Sequence, residues 1–210
     1  MYNYERKEKL LPKGEGQPAP PPCGKLNPQM KQYLEDRGLS YTVARYNGWY
    51  PCLYRGQRIC IPATTLLNPP TYWQARTMEG HPMRFMSSKV SRGSAIIIVS
   101  HPELGTQRPH MALCEGPMDA LAIAEIPGWM AIAVMGVNPT AEQLAHIFKV
   151  KQVLNPQEII IMSDKDSVAQ WVNIQRSLLW LGVSSQLRYP LDKKDIACYT
   201  LRQREDILRK

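Results

Sequence analysis

The sequence predicts an α/β fold, a mostly parallel sheet wound with helices on both faces and preceded by a small basic α+β module. Three observations predict it. From Ser94 onward, apolar runs (AIIIV, MALC, MAIAVM, EIIIM) alternate with helix-like stretches, the pattern of strands buried on both faces. Before that point, short strand-like runs and Gly/Pro breaks crowd a segment, Leu26 to Gly93, with nine Lys or Arg against three acids. Finally, Glu115 with Asp119, and Asp164 with Asp166, each follow an apolar run and precede a helix. In such sheets ligands bind outside the carboxyl ends of the strands, where the strand order reverses.

Taken in order, residues 1–25 read as an extended, poorly packed tail, because LPKGEGQPAPPPCGK is rich in Pro, Gly and charge. Residues 26–93 form the basic module. Asn27 and Pro28 supply a cap and first position for a helix ending at Gly38, and Ser40 caps a second, short helix through Arg45. RICIP, TYWQART and MRFM read as strands, separated by Asn68-Pro69-Pro70 and by Glu79-Gly80. Tyr72 and Trp73 are expected to pack against this sheet.

Residues 94–190 form the alternating domain. AIIIV and MALC are its first strands, and Pro117 to Glu125 is a helix. MAIAVM is followed by TAEQLAHIF, in which Thr140 and Gln143 form a capping-box pattern. EIIIM precedes Asp164, a helix runs from Val168 to Leu181 with Gly182 as its stop, and VSSQLRY is the last strand. Trp171 and Trp180 both read as core. Residues 191–210 form a helical tail whose amphipathic pattern suits docking on the core, in preference to docking on a partner.

Composition narrows the function. No apolar run approaches the roughly 20 residues of a membrane span, and MYNYERKEKL is not a signal peptide. The five cysteines contain no CxxC pair, so reduced thiols in a cytoplasmic setting are expected. The net charge of +8 is uneven, since Ser94 to Ser163 carries three bases against six acids. A basic module ahead of an acidic pocket suits a polyanion whose phosphates need a metal ion.

Either acidic cluster alone reads as a solvated turn with acids complementing a helix dipole. Together, on two strand-to-helix junctions, Glu115, Asp119, Asp164 and Asp166 point to one acidic pocket. Crowded carboxylates repel unless a hard cation neutralises them, and Mg²⁺ prefers one or two carboxylates plus substrate phosphates. Alternate residues of an extended segment face the same way, which lets Asp164 and Asp166 share a site. Asp119, four residues beyond Glu115, falls near it on a helix face.

With both clusters placed, the chain resembles the Rossmann-like TOPRIM fold of DnaG-type and phage replicative primases, type IA and II topoisomerases and some nucleases. EGPMDALA resembles the family's Glu-Gly helix and DKD its DxD strand end. Upstream, YLEDRGLS, RICIP and WQARTMEGHPMRFMSS resemble primase-core motifs, and downstream YPLDKKD resembles the element after the DxD helix. The similarity runs from about residue 28 to 196 and favours the primases. Three departures stand out: Ala169 where the family has Gly, one extra residue before Asp195, and Ala197 where a further acid is usual. A small residue at 169 keeps a close helix–sheet approach open.

The resemblance implies a DNA primase core that makes short RNA primers on single-stranded DNA, a nucleotidyltransferase of phage or plasmid DNA replication. Asp164 and Asp166 would be the main ligands of Mg²⁺ or Mn²⁺, with Asp119 and Asp195 as further ligands. Glu115 would ligate metal or take the hydroxyl proton. Arg76, Arg84 and Lys89, together with Arg58 and Arg92, would hold template or nucleoside triphosphate. No zinc is expected, since Cys23 has no nearby Cys or His to complete a tetrahedral site. A replicative helicase or a separate zinc-bearing module is the partner the family suggests. The rival readings are a TOPRIM nuclease and a decayed, single-stranded-DNA-binding accessory of a helicase.

Overall fold

The computed structural model describes residues 18–66, 72–89, 92–105, 107–190, 192 and 195–209. Most of the tail, the Asn68-Pro69-Pro70 break, and Lys193 and Lys194 of YPLDKKD lie outside the described residues. The first part holds helices α1 (Asn27–Glu35) and α2 (Tyr41–Tyr46). Strands β1 (Tyr50–Leu53), β2 (Gln57–Pro62), β3 (Trp73–Thr77) and β4 (Phe85–Ser87) follow. These four strands pair in sequence order, each antiparallel to the next.

Ser40 caps α2 as the sequence predicts, its hydroxyl accepting the Val43 N–H at 3.2 Å. Asn27 is not the cap of α1. The helix is entered from a 3-10 turn, Gly24–Leu26, so that Asn27 is its first residue and Leu26 its cap. The end of the tail is also better packed than expected. Pro22 bridges to Cys52, Cys23 N–H donates to Pro51 O at 2.8 Å, and the Tyr50 hydroxyl donates to Pro20 O at 3.0 Å. A proline-rich strand edge still has carbonyls to offer, and β1 uses them.

The second part contains β5 (Ile97–Ser100), β6 (His110–Cys114), α3 (Pro117–Ala124), β7 (Trp129–Ala133) and α4 (Ala141–Leu154). It continues through β8 (Glu158–Met162), α5 (Val168–Trp180), β9 (Gln186–Arg188) and α6 (Leu201–Arg209). Its sheet has the order β5-β7-β6-β8-β9, parallel except for the antiparallel edge strand β5. Alternate residues of the strands face opposite ways. Met111, Leu113, Ile132, Ile159 and Ile161 pack with Ile147, Trp171, Ile174 and Leu178 of α4 and α5 on one face. Ala112, Cys114, Ala131, Ala133, Ile160 and Met162 meet α3 on the other, and this core continues into Met30, Leu34, Trp49, Ile59 and Ile61 of the first part.

Small residues on the second face let α3 sit so close that all eight of its residues are buried. Each fully buried Leu or Ile contributes about 2 kcal/mol, which makes this continuous core the main tie between the two sheets. The capping box of α4 is formed, with Thr140 Oγ1 accepting from Gln143 N–H and Gln143 Oε1 from Thr140 N–H. Helix α6 docks on the core through buried Arg204 and Leu208. Tyr72 and Trp73 are buried. Trp171 is core, but Trp180 is not, being 89 % exposed. Among the described residues no helix is long and apolar enough to cross a membrane.

Candidate active site

Strands β6 and β8 are parallel neighbours with Cys114 opposite Met162, so the residues that follow them leave the sheet at the same edge. From β6 the chain crosses to β7 on one side, then returns past β6 to β8 on the other. This reversal opens a crevice above β6 and β8. Glu115, Gly116 and Asp164 stand at its mouth. The Glu115 carbonyl accepts from Met135 N–H at 2.9 Å and Gly136 N–H at 3.3 Å. Met135 takes the left-handed φ of 60° to make that wrap, an uncommon conformation for a residue with a side chain.

Gly116 caps α3, and Asp119 is the third helical residue. Its carboxylate leans back and accepts the Gly116 N–H. A Cβ at residue 116 would lie 2.9 Å from Asp119 Oδ2, so a side chain there would push that carboxylate from its place. Asp119 is buried, and its carboxyl is held well above the usual carboxylate range. Burial is the first cause, followed by the charges of Asp164, Asp195 and Glu115; the Gly116 N–H partly offsets them. Asp119 therefore feels the charge of the other three acids. The pairing of Glu115 and Asp119 does not come from a shared helix face as the spacing suggests, because Glu115 precedes the helix.

Asp166 is placed differently from its expectation. Residues 164–167 form a turn closed by Ser167 N–H to Asp164 O at 3.1 Å, rather than an extended segment, and Asp166 is exposed on it. The alternation argument for a shared Asp164–Asp166 site therefore fails. Ala169 is exposed as well, so no close helix–sheet approach occurs at that position. Asp195 precedes a 3-10 turn, Ile196–Cys198, and accepts the Cys198 thiol at 3.1 Å. Among the described residues no three His, Cys, Asp or Glu side chains lie together as a ready metal cage. A magnesium-type ion does not need one, since it is held by one or two carboxylates with phosphates and water completing its shell. A buried carboxylate pressed by three others fits that cation.

Facing these acids is a basic wall built from α1 and β3–β4. A cavity of about 760 Å³ is lined by Arg37, Arg76 and Arg84 from one side and by Gly116, Asp119 and Asp195 from the other. Tyr33 and Phe85 order this wall. The Arg76 guanidinium lies 4.8 Å over the Phe85 ring and its Nε donates to the Tyr33 hydroxyl at 2.8 Å; Arg37 lies 5.8 Å over the Tyr33 ring. Rings and guanidiniums alternate, which fixes flexible cations without neutralising them. Arg37 and Tyr33 carry no expectation from the sequence, although both stand in the YLEDRGLS segment, Tyr33 on α1 and Arg37 on the turn that follows it.

Two expected binding residues have other tasks. Arg58 is fully buried, and its guanidinium donates to the carbonyls of Tyr54, Ala75 and Met83 at 2.9, 3.2 and 3.2 Å. It cannot reach nucleic acid because it ties β2 to its neighbours from inside. Arg92 donates to the carbonyls of Met135 at 2.5 Å and Asn138 at 3.2 Å, bracing the loop that wraps Glu115. Lys89 is exposed but does not line the cavity.

No protein-family model matches the chain, and no curated protein matches it in sequence. Solved structures do match. The RNA polymerase domain of Mycobacterium tuberculosis primase DnaG in complex with double-stranded DNA superposes with a TM-score of 0.62 at 15% identity, covering 87% of this chain and 73% of that one. The DnaG primase catalytic domain bound to single-stranded DNA gives 0.60 at 17% identity, with 85% and 69% covered. A chain from the bacteriophage T7 lagging-strand DNA polymerase structure with primase domains on an RNA/DNA hybrid gives 0.56 at 14% identity, with 84% and 88% covered. The chain has the fold of DnaG-type primase catalytic cores.

Proposed function

We propose that this chain is the catalytic core of a DNA primase, joining nucleotides into short RNA primers on a single-stranded DNA template. The observation that carries the reading is one cavity with Asp119 and Asp195 on one side, Asp119 pressed also by the charges of Asp164 and Glu115, and Arg37, Arg76 and Arg84 on the other, within a primase-core fold. Residues 26–93 would supply the basic wall and residues 94–190 the acidic one.

Asp164, Asp119 and Asp195 would hold Mg²⁺ or Mn²⁺, which supplies positive charge to a polyphosphate whose oxygens gain charge as the nucleotide is transferred. Glu115 stands at the strand end as a further ligand or as the acceptor of the primer hydroxyl proton. Arg76 and Arg84 present forked donors to phosphate, and Arg37 joins them. Asp166, on its exposed turn, is left a supporting part at the rim. A helicase or a zinc-bearing protein remains the partner class that the fold suggests, and the cytoplasm the expected setting.

The decayed-accessory reading is favoured by Ala169 and Ala197, which stand where the resembling primases have a glycine and a further acid. One assay decides between the two. The protein is incubated with single-stranded DNA, labelled nucleoside triphosphates and either metal, and oligoribonucleotides are resolved by length. Primers are expected, and Asp164→Ala is expected to reduce them at least about a thousandfold, the scale of a lost charge-stabilising group. Binding of DNA should persist in that variant, because removing negative charge does not weaken a polyanion contact. DNA binding without any primer would favour the accessory, and degradation of labelled DNA would favour a nuclease.

A further inference from the structure

Helix α6 reaches into the molecule with one charged side chain. Arg204 is 1 % exposed and donates from Nη1 to Glu125 Oε2 at 2.6 Å. Its Nη2 donates to Gly38 O at 3.0 Å and to Ala197 O at 3.2 Å. The other oxygen of Glu125 accepts the Ser40 N–H. One guanidinium thus gathers the α1–α2 turn, the end of α3 and the 3-10 turn after Asp195.

Two of those segments are walls of the cavity. Gly38 follows Arg37, and Ala197 itself lines the space beside Asp195. Gly38 takes a φ of 66° to close the end of α1, its N–H donating to Glu35 O and the Leu39 N–H to Leu34 O, both at 2.8 Å, and a side chain there would be strained. A buried ion pair is a poor source of stability, since desolvation offsets most of its attraction and apolar residues of the same volume do as well. Arg204 Nε is even buried without a hydrogen-bond partner among the described residues. Directional donors aimed at two distant backbones serve geometry better than they serve stability.

We propose that Arg204 is a positioning residue that sets the spacing between the basic wall, through Gly38 and Arg37, and the acidic wall, through Ala197 and Asp195. This rests on the primase reading of the cavity. The helix at the end of the chain then tunes substrate geometry without touching substrate.

The test replaces the pair by apolar residues, Arg204→Met with Glu125→Leu, so that the fold is kept while the directed bonds are lost. Leu208→Ala, on the same helix and fully buried, is the control for loosened packing alone. Hydrogen exchange and the Michaelis constant for nucleoside triphosphate are measured on the 210-residue chain. In the double variant, exchange at residues 38–41 and 196–199 should rise at least about tenfold while β6 and β8 stay protected. The Michaelis constant should rise by a similar factor, because the arginines that hold the triphosphate lose their spacing from the acidic wall, and turnover should fall by up to about a hundredfold, as when reacting groups are misplaced by about 1 Å. Leu208→Ala should lower the melting temperature without opening both segments. Should the double variant fail to fold, Arg204→Lys, which keeps the charge but not the fork, is read in the same way. Unchanged exchange in either segment, or equal opening in the control, would overturn the proposal. So would opened segments with an unchanged Michaelis constant. A parent protein that makes no primer would instead overturn the primase reading, and the exchange pattern would still judge the clamp.

Discussion

The two walls of the cavity are built by different rules. On the acidic side, the backbone places the residues: Glu115 and Asp164, which press on Asp119 without lining the cavity, lie beyond paired parallel strands whose register puts Cys114 against Met162. On the basic wall, side-chain facing places them. In the antiparallel pair β2–β3, Arg58 stands opposite Thr77 and Arg76 opposite Ile59, so these two arginines emerge on opposite faces. Arg58 turns into a small core with Cys60, Trp73 and Ala75 nearby, whereas Arg76 turns to the cavity. A charge count of a basic segment therefore does not say which cations are free to bind phosphate. One residue of register does.

The strongest way to break this contrast is Arg58→Ala against Arg84→Ala. Arg58→Ala removes a fully buried side chain, taking its donor from the buried bond to Ala75 O and from the half-buried bonds to Tyr54 O and Met83 O, and should destabilise the fold by about 3 kcal/mol, since each unsatisfied buried group costs roughly 1–3 kcal/mol. Chemical denaturation followed by circular dichroism would measure it. A folded, fully stable Arg58→Ala protein with weakened DNA binding would restore Arg58 to the binding surface and undo the distinction.

That contrast also separates what could be read in the sequence from what could not. The strand ends were legible because an apolar run, an acid and a helix follow one another locally, and the Ser40 and Thr140 caps are local chemistry too. Strand β1 was missed. Pro51 in YPCL argues against a strand, yet β1 is an edge, where a missing N–H is tolerated. Trp180 was misread because aromatic content suggested core, whereas its phase does not. It lies nine residues after Trp171, about half a turn around the helix from the stripe of Trp171, Ile174 and Leu178. Asp166 needed the turn that Ser167 closes, and Arg58 needed the strand register, neither of which leaves a mark in composition. Arg37 and Tyr33 had a signal in YLEDRGLS, one of the segments that resemble primase cores.

A milder change sharpens the basic wall itself. Arg84 is exposed and lines the cavity. Arg84→Ala should weaken binding of single-stranded DNA or of triphosphate about tenfold at low salt while leaving the fold stable. If the partner is template phosphate, the plot of log affinity against log salt should become shallower by about one ion. If it is triphosphate, the salt slope for DNA should hold and nucleotide affinity should fall. Both quantities unchanged would return Arg84 to ordinary solubilising charge and leave Arg76 and Arg37 as the working cations.

The smallest effect tests the acidic wall, through Asp119. Burial, and then the charges of Asp164, Asp195 and Glu115, raise its carboxyl above the ordinary value, so its neutral form is the one the metal-free fold prefers. For a group raised in this way, the stabilisation is fully present below the unfolded value of about 4 and is lost as pH rises through the folded value. Asp119→Asn keeps an oxygen to accept the Gly116 N–H and removes the titration. Without metal the variant should therefore melt above the parent at pH 8, by roughly 3 °C for about 1 kcal/mol in a chain of this size. The gap should close as pH falls toward 4. Added Mg²⁺ should stabilise the parent more than the variant, because a ligand held by the folded state alone raises its stability by mass action. Melting curves across pH, with and without metal, give all three readings. A gap that is the same at pH 4 and pH 8, or a parent that melts above the variant at pH 8 without metal, would show that the four carboxylates do not press on one another, and the acidic wall would lose its claim on a cation.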